Sequence, residues 1–205
     1  MTINGLDLNN PKQKIFFTSD LHFCHKGVMS FHPRFRDFKS VGAMDNALIN
    51  MWNSTVGDDD VVFNLGDFCF GDFEVASKIA SKLKGKHILI YGNHDSKIKR
   101  QEIKSLNKVF FATFDYLRLD VSRNGERFSL VLFHYPIFEW DRSHYGAFHL
   151  YGHVHDADLS EFLGERSLNI CYDSLGRMIE LGEVLSTLKR GKIKPCVHND
   201  FMDDE

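Results

Sequence analysis

Five apolar runs along this chain each stop at a cluster of polar residues able to bind a metal, and no other feature constrains the fold as tightly. Lys14–Thr18 leads to Asp20-Leu21-His22, Val61–Leu65 to Gly66-Asp67, and His87–Tyr91 to Gly92-Asn93-His94-Asp95. A run ending in Phe133 meets His134, and Ala147–Tyr151 meets Gly152-His153-Val154-His155. Each run has the length and bulk of a short buried strand. Between them lie segments with helical periodicity. After Ser40, a capping residue, Val41, Met44, Leu48, Met51 and Trp52 share one face; after Asp72, so do Val75, Ala76, Ile79, Ala80 and Leu83, with Gly85 at a C-cap position. Strand, polar tip, helix and strand in alternation predict a layered α/β fold with functional groups gathered at strand ends.

Asn124-Gly125 predicts a hairpin joining Tyr116–Val121 to Phe128–Phe133. Lys97–Asn107 reads as a short charged helix, Ser167–Cys171 as one more strand, and Leu181, Val184, Leu185 and Leu188 as the apolar face of a last helix. No linker or internal repeat divides the chain, so residues 1–190 are expected to form a single domain and 191–205 a frayed polar tail.

Composition narrows the function classes. A net charge of −3 without a long basic block argues against tight, non-specific nucleic-acid binding and leaves room for a small charged substrate. Four widely spaced cysteines without a C-x-x-C pair suggest neither a disulfide framework nor a structural zinc knuckle. With no signal pattern and no apolar run long enough to span a bilayer, the expectation is a cytoplasmic protein that does not enter membranes.

The chemistry lies in the tips. Asp20 and His22 are two apart, so in an extended segment a carboxylate and an imidazole point the same way. Carboxylate and neutral imidazole suit borderline and harder divalent ions, and an Asn carbonyl adds a neutral oxygen. Glycine just before Asp67, Asn93 and His153 allows a sharp turn while the backbone stays close to an ion. A lone H-x-H is commonly a surface turn and a lone G-D a cap; recurrence at five successive strand ends is hard to explain that way.

Taken in order, D-x-H, G-D, G-N-H-D, H and G-H-x-H resemble the signature of the calcineurin-like metallophosphoesterases. The D-L-H-F-x-H start at Asp20–His25, Trp52-Asn53, Leu65-Gly66-Asp67-Phe68 and His134-Tyr135-Pro136 are similar to its compact bacterial and phage branch, and the resemblance runs from about Lys14 to Leu188. It implies a four-layer αββα sandwich, two mixed sheets flanked by helices, and two divalent ions at the strand ends. Asp20, His22, Asp67 and His155 would hold one ion; Asp67, Asn93, His134 and His153 the other, with Asp67 as bridge. Manganese is the first expectation, with iron, zinc, nickel or cobalt also able to use such sites.

The implied reaction is phosphoester hydrolysis by in-line attack of a hydroxide shared between the two cations, which such centres hold about 3.5–4 Å apart. His94 would act as general acid or charge stabiliser, with Asp95 holding its orientation. His25, Arg34, Arg36, Trp140 and Arg142 are the candidate substrate contacts, since an arginine fork suits phosphate and a Trp face suits a base or sugar. Asp141 and Asp173 are expected to be supporting or structural. The substrate class is a phosphodiester, or a small phosphomonoester, of nucleotide-like character. The alternatives are a nuclease, or a non-catalytic interaction scaffold on the same fold, and the complete set of ligands weighs against the scaffold.

Overall fold

A computed structural model describes residues 2–193. A short ribbon of β1 (Thr2–Ile3) and β2 (Leu6–Asp7) precedes β3 (Ile15–Thr18), the single turn α1 (Val28–Phe31) and the long α2 (Val41–Thr55). Then come β4 (Val61–Asn64), α3 (Phe73–Ala80), β5 (Lys86–Ile90), α4 (Ser96–Lys99), α5 (Ile103–Leu106) and β6 (Ala112–Phe114). The hairpin of β7 (Leu117–Arg123) and β8 (Glu126–Leu132) leads to β9 (Phe148–Tyr151), α6 (Ser160–Leu163), β10 (Ser167–Asn169), α7 (Tyr172–Leu175), β11 (Ile179–Glu180) and α8 (Leu181–Leu188).

Apart from the β1–β2 ribbon, these strands form two mixed sheets. The larger has the order β11-β3-β4-β5-β6, parallel except for β11; the smaller has the order β10-β9-β8-β7, parallel except for β7. Parallel neighbours end on the same side, so the tips of β3, β4 and β5 converge on one edge and those of β8 and β9 on another. That convergence is what assembles the site.

Alternation along each strand builds two cores. Phe17, Phe63, Ile88 and Ile90 point inward against Leu119, Leu130, Leu132, Phe148 and Leu150 of the smaller sheet, with Val184 and Leu188 of α8 packed into the same cluster. The odd–even partners Phe16, Val62 and Leu89 face the other way, onto Met44, Leu48 and Trp52 of α2 and Ala76 and Ile79 of α3. Each such side chain, fully buried, contributes about 1.5–3 kcal/mol, so both faces of the larger sheet are firmly committed. Over the outer face of the smaller sheet, Trp140 packs with Val131 and Ala147.

Local chemistry accounts for the boundaries. Ser40 and Asp72 cap α2 and α3 by accepting from the amides of Ala43 and Val75. Asn124 and Gly125 both take positive φ, which a two-residue turn matched to strand twist requires. Two expectations change. α3 stops at Ala80, and Leu83 is buried from the turn that follows rather than from the helix. The stretch 97–107 is two single-turn helices broken at extended Glu102, burying Ile98 and Leu106 separately. Of the expected tail, residues 194–205 lie outside the described residues. Among the described residues, no helix is long and apolar enough to cross a membrane.

Candidate metal centre

The tips carry backbone strain. Asp20, His22, Asp67, His153 and His155 all have φ between +49° and +72°, a left-handed region that costs such residues free energy and persists only where surroundings over-determine it. Close backbone approach explains the glycines beside them. A Cβ on Gly66, itself at φ +100°, would lie 2.4 Å from the Gly92 nitrogen, and one on Gly152 would lie 2.0 Å from Ser19 Oγ and 2.5 Å from Asp20 Oδ2.

Two groupings of ligand atoms result, Asp20 with His22 and His155, and Asp20 with Asp67 and His134. Asp67 is central: its Oδ1 accepts from the His94 amide at 2.8 Å, while Oδ2 lies 3.6 Å from His22 Nε2, 3.7 Å from His134 Nε2 and 4.0 Å from His94 Nε2. Asn93 Oδ1 sits 2.9 Å from His134 Nε2 and 3.0 Å from His153 Nδ1.

The donor bookkeeping fits a cation. His134 Nδ1 is 2.7 Å from the Leu65 carbonyl, which can only accept, so this nitrogen carries a proton, and in the tautomer this selects Nε2 offers a lone pair. That lone pair faces two oxygens that also accept. Acceptor against acceptor is repulsive unless a positive charge lies between them. At His155, Nδ1 donates to Asp173 Oδ2 at 2.7 Å, a pairing that fixes the ring's orientation and, against its burial, raises its pKa. Asp20 Oδ2 takes the Cys171 thiol and the His153 amide at 3.0 Å each, whereas buried Oδ1 has no hydrogen-bond partner, and neither has either ring nitrogen of buried His22. Burial, helped by the charges of His155 and Arg36, drives His22 down to about 2, so its ring is a neutral donor of electrons. The residues present therefore suit divalent ions with nitrogen and oxygen ligands.

Buried pins hold these tips. Arg36 is fully buried: its guanidinium grips both oxygens of Asp173 and donates to the carbonyls of Leu21 (2.9 Å) and Asp20 (2.6 Å), over the Tyr172 ring. Asp173, held below the usual carboxylate range by His155 and Arg36 despite its burial, then orients His155. Asp95 accepts the amides of Asp67 (2.8 Å), Phe68 (3.0 Å) and Gly92 (2.8 Å), tying the β4 tip to the β5 tip. Its burial pushes it up to about 7, against those amides and with help from the Asp67 charge.

A family model for calcineurin-like phosphoesterases matches residues 13–167. The chain belongs to the calcineurin-like phosphoesterase family. Membership implies metal-dependent phosphoester hydrolysis, and the two groupings above are candidate metal-binding residues. Curated relatives include the uncharacterized protein MJ1445 of Methanocaldococcus jannaschii, 26% identical and covering 91% of this chain and 98% of its own length. The Gene 66 protein of Mycobacterium phage L5 is 28% identical, covering 89% of this chain and 98% of its own. A crystal structure of AQ665 from Aquifex aeolicus, a protein of unknown function, shares the fold with a TM-score of 0.62 at 21% identity, covering 85% of this chain and 98% of that one.

Within this calcineurin-like fold the expected ligands Asp20, His22, Asp67, Asn93, His134, His153 and His155 come together, with His94 beside them and 40% exposed. His25 also joins them, its ring 5.3 Å from that of His22 and 6.3 Å from that of His94. Four other expectations are corrected. Arg36 does not face substrate, because Asp173 and two carbonyls consume its donors in the interior. Asp95 does not orient the His94 ring, because its oxygens are taken by three amides; it is Asp67 that fixes the His94 backbone. Trp140 is buried, its Nε1 donating to the Ala147 carbonyl. Arg142 lies before the start of β9, whose far end carries His153, and lines a separate cavity of about 780 Å³ with Arg127 and Arg166.

Arg34 is exposed over the Phe35 ring, and Asp141 pairs with Arg118 on the surface. Three neighbours of the site escaped sequence reasoning. His32 stacks on His155 at 3.9 Å, Tyr135 stands 4.7 Å from the His153 ring, and Phe70 stacks on His25. Tyr135 belongs to the His134-Tyr135-Pro136 motif and Phe70 follows Phe68 by two residues, a proximity that was the available signal; for His32 there was none.

Proposed function

We propose that this chain is a phosphoric ester hydrolase holding two divalent cations, manganese first among them, and acting on a phosphodiester, or a small phosphomonoester, of nucleotide-like character. The observation that carries the reading is the acceptor-against-acceptor arrangement of His134 Nε2 with Asn93 Oδ1 and Asp67 Oδ2. Asp20, His22, Asp67 and His155 would hold one cation, and Asp67, Asn93, His134 and His153 the other. Such ions, when bound, neutralise phosphoryl oxygens and acidify a water for attack on phosphorus.

The chain's own residues supply the rest. His94, anchored through its amide to Asp67 Oδ1 and with its ring partly exposed, can protonate the departing oxygen. His25, its ring close to those of His22 and His94, is placed to face the substrate. The Cys171 thiol is buried, donates to Asp20 and has its pKa raised far above the ordinary thiol value, which argues against a thiolate nucleophile and for direct attack by water.

Elemental analysis with a panel of phosphomonoesters, cyclic nucleotides and dinucleotides tests this. Chelation is expected to abolish hydrolysis and manganese to restore it, and Asp67→Ala to lose both metal and turnover; full turnover in chelated protein overturns the reading. His94→Ala is expected to keep its metal content and to slow alkyl diesters about 10²–10⁴-fold, with bis-p-nitrophenyl phosphate, whose leaving group needs no proton, affected far less. Equal slowing of both would remove the proton-donor role.

A further inference from the structure

Phe70 is an exposed aromatic whose ring contacts two histidines of the site. It is 51% exposed, stacks on His25 with ring centroids 4.2 Å apart and 15° between planes, and lies 5.7 Å from the His94 ring. Single apolar residues on a surface need no explanation. Phe70 differs from the others because its position is enforced. Its amide donates to the Phe23 carbonyl at 2.7 Å, beside the bridge pairing Phe23 with Cys69, so the backbone is tied to the loop that carries His22 and His25. On the other side, Gly27 leaves room for His25: a Cβ there would lie 3.1 Å from His25 Nε2. The rings Phe70, His25 and His22 thus form a continuous wall from solvent to the metal ligands, with His94 against it at 5.4 Å from His22.

We infer that Phe70 is a stacking platform for a planar ring borne on the organic group of the phosphoester, a nucleobase or aryl group close to the phosphorus. The inference rests on the phosphoesterase reading and sharpens its substrate class. Stacking needs a ring face that is exposed and rotationally fixed, because aromatic attraction depends on offset and tilt. Phe70 offers a half-exposed ring whose tilt His25 sets, next to the residue that would protonate the leaving oxygen. The Trp face expected at position 140 is buried, and Phe70 takes over that role at the mouth of the site.

The test compares two non-hydrolysable phosphonates that share a head group. Inhibition constants of phenylphosphonate and methylphosphonate against bis-p-nitrophenyl phosphate hydrolysis are measured with manganese-loaded protein, and both affinities are repeated by calorimetry. Wild type is expected to prefer phenylphosphonate roughly 5- to 150-fold, the range of base–aromatic stacking. Phe70→Ala should bring that ratio towards one, Phe70→Leu should recover little of it, and Phe70→Trp should keep or widen it. A ratio unchanged in Phe70→Ala overturns the platform and leaves the phosphoesterase reading standing. Absence of hydrolysis by metal-loaded wild type across the panel overturns that reading, while the calorimetric ratio still decides whether Phe70 recognises a ring.

Discussion

The two sheets meet at one candidate metal centre, yet they hold their halves of it by different means. At the tips of β3, β4 and β5 the loops are fixed by buried ionisable groups: Arg36 grips Asp173 and the Asp20 and Leu21 carbonyls, and Asp95 gathers three amides. At the tips of β8 and β9 the fixing is borrowed. His134 donates to the Leu65 carbonyl of the β4 tip, the His153 amide to Asp20, and His155 to the Asp173 carboxylate of α7 that Arg36 holds, while Asn169, from β10 of the smaller sheet itself, supports the His155 carbonyl. The larger sheet is therefore the template, and the smaller one docks its histidines onto it. Charges buried in pairs explain the asymmetry, since removing one partner strands the other in a medium that solvates it poorly.

Arg36→Ala should be the most disruptive change to either half, costing about 3–5 kcal/mol through the stranded Asp173 carboxylate. The urea midpoint should fall accordingly, and Arg36→Ala with Asp173→Asn should recover part of the loss; an unchanged midpoint would mean that the template is not held by this pair. Asn169→Ala, on the borrowed side, removes neutral hydrogen bonds to the His155 and Ala157 carbonyls and from the Cys171 amide and should cost about 1–3 kcal/mol. If it cost as much as Arg36→Ala in the same titration, the asymmetry would disappear.

The smallest effect lies at the opposite end of the larger sheet. His87, at the start of β5, is buried beside Trp52 and lowered by that burial below its ordinary value of 6.5, against hydrogen bonding to the Lys84 and Leu83 carbonyls. Below that pH the unfolded chain binds a proton that the folded chain refuses, so His87 makes stability fall as the solution turns acid. His87→Gln should flatten the slope of stability against pH in that window, by comparison with wild type in parallel urea titrations. An identical slope would show that His87 titrates alike in both states.

Much of this was visible in the chain. Period-two burial at Phe16-Phe17 and Val62-Phe63, caps at Ser40 and Asp72 and the Asn124-Gly125 turn are local properties, and each formed as its residues dictate. The expectations that changed concern residues whose role depends on a distant partner. Arg36 looks like a phosphate fork until Asp173, 137 positions away, occupies it. Asp95 looks like a partner for the adjacent His94 until the amides of Asp67 and Phe68 reach it first. Arg142 follows the His134 strand in sequence, yet the chain carries it back to the start of β9, away from the tips.

The sequence by itself determined that strands end in metal-capable clusters and that helices alternate with them, because periodicity, capping and turn chemistry act over a few residues. Only the tertiary structure decided which of those clusters share one centre, which cations are consumed as internal pins, and that Phe70 rather than Trp140 stands at its mouth. Burial and the pairing of charges across more than a hundred residues are properties of packed surfaces, and no local pattern encodes them.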